Sequence, residues 1–466
     1  MTQPAPDPAP DFLPAGTAAV PIRCVGSTDW PEVEASLSGP QAAYARAIDF
    51  APKAGRLALL PGPDGTLACA LFGLGDTGAA SYDRLLPGKL PGLLPPGAYR
   101  LAGDAVDPAQ AALAWLLGSY RFGRYRSASA ERPRLVAPDD VDADEIARIA
   151  GAVALGRDLV NTPANDLGPA EIEDAARALA ARHGAEIAVI GGEALARDFP
   201  LVHAVGAASD RAPRLIDLSW GEADAPAIVL VGKGVAFDTG GLDIKPAAGM
   251  LLMKKDMGGA AAALAAADMV MGARLRLRLR VLIPAVENAV SGNAFRPGDV
   301  LASRAGLSVE IGNTDAEGRL ILADALALAD AAAPDLIVDF ATLTGAARVA
   351  LGPDLPAFFT EDEALALEVA AAGDAALDPV WRMPLHAPYA SLLDSKVADL
   401  NNVSGGPFAG AITAALFLRR FAPETRAHVH FDLYGWNPST KPGRPEGGEV
   451  QTARLVYALL KARYGQ

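Results

Sequence analysis

Asn313-Thr314-Asp315-Ala316-Glu317-Gly318-Arg319-Leu320 joins an alternating apolar segment to an alanine- and leucine-rich run with helical spacing. The order is that of a strand, a polar loop and a helix. Two carboxylates stand one residue apart, followed by a glycine and an arginine. If the backbone there is extended, Asp315 and Glu317 project from one side and can converge on one cation. Carboxylates without cysteine or histidine favour hard divalent ions, and Arg319 keeps a positive charge over the same spot, able to stabilise a developing oxyanion. Standing alone, the octapeptide would read as a solvated turn capping a helix, so its meaning depends on matching pieces elsewhere.

Those pieces lie upstream. Ile228-Val229-Leu230-Val231 reads as a short buried strand that runs into Gly232-Lys233-Gly234-Val235-Ala236-Phe237-Asp238-Thr239-Gly240-Gly241-Leu242-Asp243-Ile244-Lys245-Pro246. Gly232 and Gly234 permit a tight turn or close approach of backbone. Lys233, Asp238 and Lys245 are polar groups that such a loop can aim at one point. Met253-Lys254-Lys255-Asp256-Met257-Gly258-Gly259 follows, then an alanine-rich helix expected from about Ala260 to Met271. Taken by itself, Asp256 is an N-cap at the positive end of that helix.

Together these segments resemble the leucine aminopeptidase (cytosol aminopeptidase) family of di-metal peptidases. The resemblance is carried by Val231-Gly-Lys-Gly, Phe237-Asp-Thr-Gly-Gly, Ile244-Lys-Pro, Lys255-Asp-Met-Gly-Gly-Ala and the 313–320 octapeptide. Weaker echoes include Asn161-Thr-Pro-Ala-Asn165, Glu287-Asn288, Ala341-Thr-Leu-Thr-Gly-Ala346 and Phe408-Ala-Gly-Ala-Ile-Thr-Ala414. It covers the chain from about Asp158 onward. It implies a variable N-terminal α/β domain, here 1–143 with a disordered tail at 1–12. A catalytic α/β/α sandwich at 144–466 would follow, around a mixed, largely parallel sheet.

The resemblance also implies a site. Two divalent ions, Mn²⁺ or Zn²⁺, would be held by Lys233, Asp238, Asp256, Asp315 and Glu317, with Lys233 coordinating as a neutral amine. Lys245 and Arg319 would be catalytic, Lys245 as oxyanion donor and Arg319 as helper or as holder of a bicarbonate that shuttles the proton. Met253, Thr342 and Gly345 would shape an apolar pocket for the first side chain, with the backbone at Leu343 holding the peptide. The implied activity is release of N-terminal residues, leucine and other apolar ones preferred, from short peptides by a hexamer in the cytoplasm. A DNA-binding regulator on the same scaffold is the non-catalytic alternative.

Composition sets limits around this reading. The 466 residues suffice for two domains, and no apolar run approaches a membrane span. The first ten residues lack both a basic start and an apolar stretch, so a secretory signal is not expected. Two cysteines, Cys24 and Cys69, suggest neither a disulfide framework nor a cysteine metal site. A net charge of −14 repels nucleic-acid phosphates overall. The basic alternation Arg274-Leu-Arg-Leu-Arg-Leu-Arg280 reads as a strand with one charged face. Helical periodicity is expected near Gln110–Gly123 and Glu145–Leu159, with a polar boundary over Ser127–Asp144. Gly73-Leu-Gly75-Asp-Thr-Gly78 fits a dinucleotide fingerprint by spacing, but the prolines that follow favour a tight turn. His428 and His430 would share a strand face, and a structural placement is expected for them in the absence of a third ligand nearby.

Overall fold

The computed structural model describes residues 9–125 and 131–465. They fall into two units, one comprising the described residues up to 154 with 439–446, the other 155–438 with the chain from 447 onward.

The first unit is built on β1 (Val20–Gly26), β2 (Leu57–Pro61), β3 (Leu67–Gly75), β4 (Gly97–Ala102) and β5 (Pro133–Leu135), in the order β2-β3-β1-β4-β5. Only β2 runs antiparallel to its neighbour. Ile22, Phe72, Tyr99 and Trp115 form its core. The helix expected near Gln110 spans Pro108–Ser119, started by the Asp107 carboxylate accepting from the Gln110 amide. A turn follows Gly75, and no helical residue occurs between Gly75 and Leu86, so the glycine spacing there marks a turn. Of the segment 1–12 read as a tail, residues 1–8 lie outside the described residues. Phe12, by contrast, is buried in this core, and Leu13 bridges Val136. Residues 126–130, which include part of the expected boundary, also lie outside.

The second unit carries β6 (Glu186–Gly191), β7 (Arg214–Trp220), β8 (Ala227–Gly232), β9 (Gly234–Asp238), β10 (Arg278–Asn288), β11 (Val300–Ala302), β12 (Ser308–Glu310), β13 (Leu336–Ala341), β14 (Ala357–Phe359), β15 (Trp381–Arg382), β16 (Leu400–Asn401) and β17 (His428–Asp432). The main sheet runs β15-β14-β17-β13-β8-β10-β7-β6, with β9 also on β10. Its centre, β17-β13-β8-β10, is parallel, and antiparallel pairs flank it on both sides. All of β13 is buried, and β8 from Ile228 onward, as expected for parallel strands covered on both faces. Two groups of helices cover them. Gly258–Gly272 packs with Pro169–His183 and Ala453–Tyr464, while Glu317–Asp330 packs with Pro200–Gly206 and Gly410–Arg419. Each group touches the central strands, which gives the helix–sheet–helix layering.

Local differences from the sequence reading have simple causes. The expected Ala260–Met271 helix starts at Gly258, and the Glu145–Leu159 helix spans Ala143–Asn161. In the basic alternation, Arg274 takes a left-handed backbone at φ 53° and regular strand begins only at Arg278. The alternating burial persists, and Arg280 forms a two-point ion pair with Asp217 of β7.

Candidate active site

The end of β8 is where the chain's polar residues converge. Lys233 leaves that strand pinned by its own backbone: its N–H donates to Phe340 O of β13 at 2.9 Å, and its C=O accepts from Ala260 N at 2.8 Å. Such an approach demands glycine at position 259, where a Cβ would lie 2.1 Å from Phe340 O. Gly318 is required for a different reason. A Cβ there would lie 2.5 Å from Lys233 Cε, in the path of the side chain.

Two expectations about the carboxylates need correcting. Asp315 and Glu317 do not converge through an extended backbone. Asp315 lies in a turn, and Glu317 is the first residue of the Glu317–Asp330 helix, so the turn swings both toward one point. Asp256 is not the N-cap of the Gly258–Gly272 helix. It sits within the Met253–Met257 3₁₀ turn, and its Oδ1 accepts from Thr342 Oγ1 at 2.8 Å, which orients its other oxygen toward Lys233.

The side chains meet closely. Lys233 Nζ lies 2.8 Å from Asp256 Oδ2 and 3.0 Å from Glu317 Oε1, and donates to Thr342 O at 2.9 Å. Lys245 Nζ lies 2.8 Å from Asp238 Oδ2 and also pairs with Asp315. One oxygen from each of Asp238, Asp315 and Glu317 falls within 4.8 Å of the others. Lys233, Asp238, Asp256 and Glu317 are almost fully buried.

Burial and mutual repulsion shape the electrostatics. Burial, with Asp238 beside it, pushes the Asp315 carboxyl up to about 6, and burial followed by Asp238 raises Glu317 well above the usual carboxylate range. Burial works against the two ammonium groups. The carboxylates around Lys233, Asp256 first, outweigh it, and Asp238 and Asp315 do the same for Lys245, so both stay above the ordinary lysine range. Even so, Asp256 Oδ2, Asp315 Oδ1 and Glu317 Oε1 are buried and, among the described residues, form ion pairs without a well-aligned hydrogen bond. Four carboxylates against two ammonium groups, with oxygens left unsatisfied, are a donor set suited to hard divalent cations.

Several residues that motif reading passed over hold this arrangement. Thr314 and Asp243 clamp the two loops together: Thr314 N donates to Asp243 Oδ2 at 2.8 Å, and Asp243 N donates to Thr314 Oγ1 at 2.9 Å. Asn288, noted only as part of a weak echo, donates from Nδ2 to Asp238 Oδ1 and to Thr314 O. Asn402 accepts from Gly312 N and donates to Asn313 O, and its own C=O accepts from Arg319 Nη1. Arg319 is therefore buried and anchored, its Nε without a partner among the described residues, and burial lowers its pKa to about 10. A paired amide motif carries no spacing signal, so Asn402 could not have been found from sequence.

A cavity of about 320 Å³ opens onto the cluster. Met253, Thr342, Leu343 and Gly345 line it, together with Lys255, Arg348, Leu355, Pro356, Asp432 and Tyr434. Burial lowers the Lys255 ammonium to about 8. Asp432 caps this wall, accepting from the Leu343 and Thr344 amides and from Thr344 Oγ1. His428 and His430 are not part of it. Both are buried against Asp339 of β13, at 2.7 and 2.6 Å, a structural placement.

The layered fold and its buried, oxygen-rich cluster beneath a cavity define a metal-dependent hydrolase. Comparisons with known proteins make the class specific. The profile of the cytosol aminopeptidase family, catalytic domain, matches residues 154–460, and that of the M17 aminopeptidase N-terminal domain matches 20–138. A probable cytosol aminopeptidase from Syntrophotalea carbinolica is 38% identical over 471 residues, covering 93% of this chain and 94% of that one. The crystal structure of a cytosol aminopeptidase from Coxiella burnetii is 44% identical and superposes with a TM-score of 0.93 over 97% of this chain and 99% of that chain. The bottromycin maturation enzyme BotP, solved in complex with Mn, is 35% identical with a TM-score of 0.86 over 96% and 100%. The chain belongs to the cytosol aminopeptidase family, and it is a metallo-aminopeptidase.

Proposed function

We propose that the cluster would hold two divalent ions, with Lys233, Asp238, Asp256, Asp315 and Glu317 as the residues that would bind them. The convergence of these side chains around Lys233 and Lys245 carries the reading. Mn²⁺ is favoured by the BotP complex, and Zn²⁺ suits the same donors. When bound, the ions would supply Lewis acidity, making hydroxide available near neutral pH and polarising the scissile carbonyl.

The chain's own residues do the rest. Lys245 presents its ammonium to the cavity and would donate to the carbonyl oxygen as it gains charge. Arg319 remains a cation at neutral pH and cannot serve as a base. Its partnerless Nε supports the binding of a small anion such as bicarbonate, which would take the water's proton. Met253, Thr342 and Gly345 receive the first side chain, with Leu343 backbone aligning the peptide. Apolar first residues, leucine among them, suit Met253, Leu355 and Pro356 on this wall.

The substrates on this reading are short peptides, cut by a homo-hexamer in the cytoplasm, with residues 1–143 and 144–466 as N-terminal and catalytic domains. The relatives' names support the location. Among the described residues no helix is long and apolar enough to cross a membrane. Nothing in the site or the relatives supports the DNA-binding alternative. The test is hydrolysis of leucine p-nitroanilide with added Mn²⁺ or Zn²⁺, before and after chelation. Activity should vanish with the chelator and return with either ion, and full turnover by rigorously metal-free protein would sink the proposal.

A further inference from the structure

One wall of the cavity carries positive charge that the hydrolytic chemistry does not use. Lys255, only 5% exposed, places its Nζ 4.7 Å from the centroid of the Tyr434 ring. Arg348 brings its Cζ to 5.2 Å from the same ring. All three line the cavity that holds the carboxylate cluster, Met253 and Thr342. Among the described residues, neither head group has a hydrogen-bond or ion-pair partner.

The nearby carboxylates are committed elsewhere. Asp256 serves Thr342 and Lys233. Asp432 accepts two backbone amides at 3.1 Å through Oδ1 and the Thr344 hydroxyl at 2.6 Å through Oδ2. An aromatic face offsets only part of the cost of desolvating a cation, and two like charges on one ring repel each other. Such a wall is completed by an anion entering from the cavity.

We propose that this wall is a subsite for an acidic first residue: peptides beginning with glutamate or aspartate are substrates, and Lys255 and Arg348 are specificity-determining residues that pair with the side-chain carboxylate. The proposal rests on the aminopeptidase reading of the same site and extends its apolar preference. The methylenes of a glutamate would lie against Met253 and Tyr434 while its carboxylate reaches Lys255. A carboxylate can also come from the C-terminus of a short peptide, so the test must separate the two sources.

The measurement is kcat/KM of the full-length, Mn²⁺-loaded protein for glutamyl, glutaminyl and leucyl p-nitroanilides. Glutamate and glutamine match in size and differ in charge, and an arylamide has no C-terminal carboxylate. The glutamyl-to-glutaminyl ratio should be about 10 or more. Lys255→Met should bring it close to unity, Lys255→Arg should retain it, and Lys255→Glu should shift preference to lysyl p-nitroanilide. Mn content is measured for every variant, because Lys255 adjoins Asp256. Arg348→Gln, at an exposed position, tests the same ratio should Lys255→Met fail to fold. A ratio at or below unity in the parent, or one unmoved by both variants, overturns the proposal. So does a preference for Glu-Leu over its C-terminal amide with no difference between the arylamides, which would assign the two cations to the peptide's C-terminus. Failure to cut any arylamide, the leucyl one included, would instead overturn the aminopeptidase reading.

Discussion

Lys245 and Lys233 carry the same charge in one cavity and have opposite fates. Lys233 is buried and tied to Thr342 O, so its position is fixed by the frame. Lys245 is partly exposed at the cavity and, among the described residues, is held through Asp238 and Asp315. A fully buried, fixed amine suits a ligand, and an ammonium at the cavity surface suits a donor needed most in the transition state. Lys245→Ala should therefore lower kcat by about 10²–10³ while both metals remain bound. Metal analysis alongside steady-state kinetics checks this, and loss of metal from the variant would show Lys245 to be a ligand.

The site is assembled where elements meet, and there the sequence was only partly legible. The residue types around the cluster, from Lys233 to Glu317, could be read from motifs, and the layered α/β fold from alternating strand and helix patterns. The mode of convergence could not. A one-residue gap between Asp315 and Glu317 predicts a shared strand face, but a turn and a helix start bring them together instead. Asp256 looks like a cap by position, yet Thr342, 86 residues away, takes its oxygen. Asn402 and Asp243 act through long-range hydrogen bonds that leave no local pattern. Glycine-mediated contact is of the same kind: only the structure shows that Gly259 meets Phe340 O. Replacing it should force β13 and the Gly258–Gly272 helix apart. Gly259→Ala is expected to cost about 1–3 kcal/mol, seen as a lower urea midpoint. An unchanged midpoint would mean that the helix can shift freely at that crossing.

On the scale of the whole molecule, the buried Arg157–Glu449 pair joins parts of the catalytic unit 292 residues apart in sequence. Glu449 accepts from Arg157 Nε and Nη2 and from Asn437 Nδ2. Burial alone would raise its pKa, but Arg157 and Asn437 outweigh burial and hold it below the ordinary glutamate value. The pair's contribution to stability is thus fully present above the unfolded-state pKa and is lost as pH falls through the lower folded value. Arg157→Met would leave a buried, unpaired carboxylate at a cost of about 3–5 kcal/mol near neutral pH. Protonation relieves that cost, so the gap between variant and parent should narrow as pH falls from 7 toward 4, as denaturant titrations at several pH values would show. Assembly belongs to the same scale. Light scattering should give a hexameric mass, and a folded protein with an N-terminal leucine should be spared while short peptides are cut. A fully active monomer would exclude the proposed assembly.

The backbone seam at Lys233 also has a kinetic meaning. Its amide and that of Ala260 are buried in the contact between two central strands and a covering helix, with no solvent-facing edge. Such amides exchange their hydrogens with water only when the surrounding structure opens as a unit. The floor of the site should therefore exchange among the slow amides of the unit. Fraying at the edges of the unit would leave that floor in place, and the temperature at which catalysis is lost should coincide with the temperature at which the unit melts.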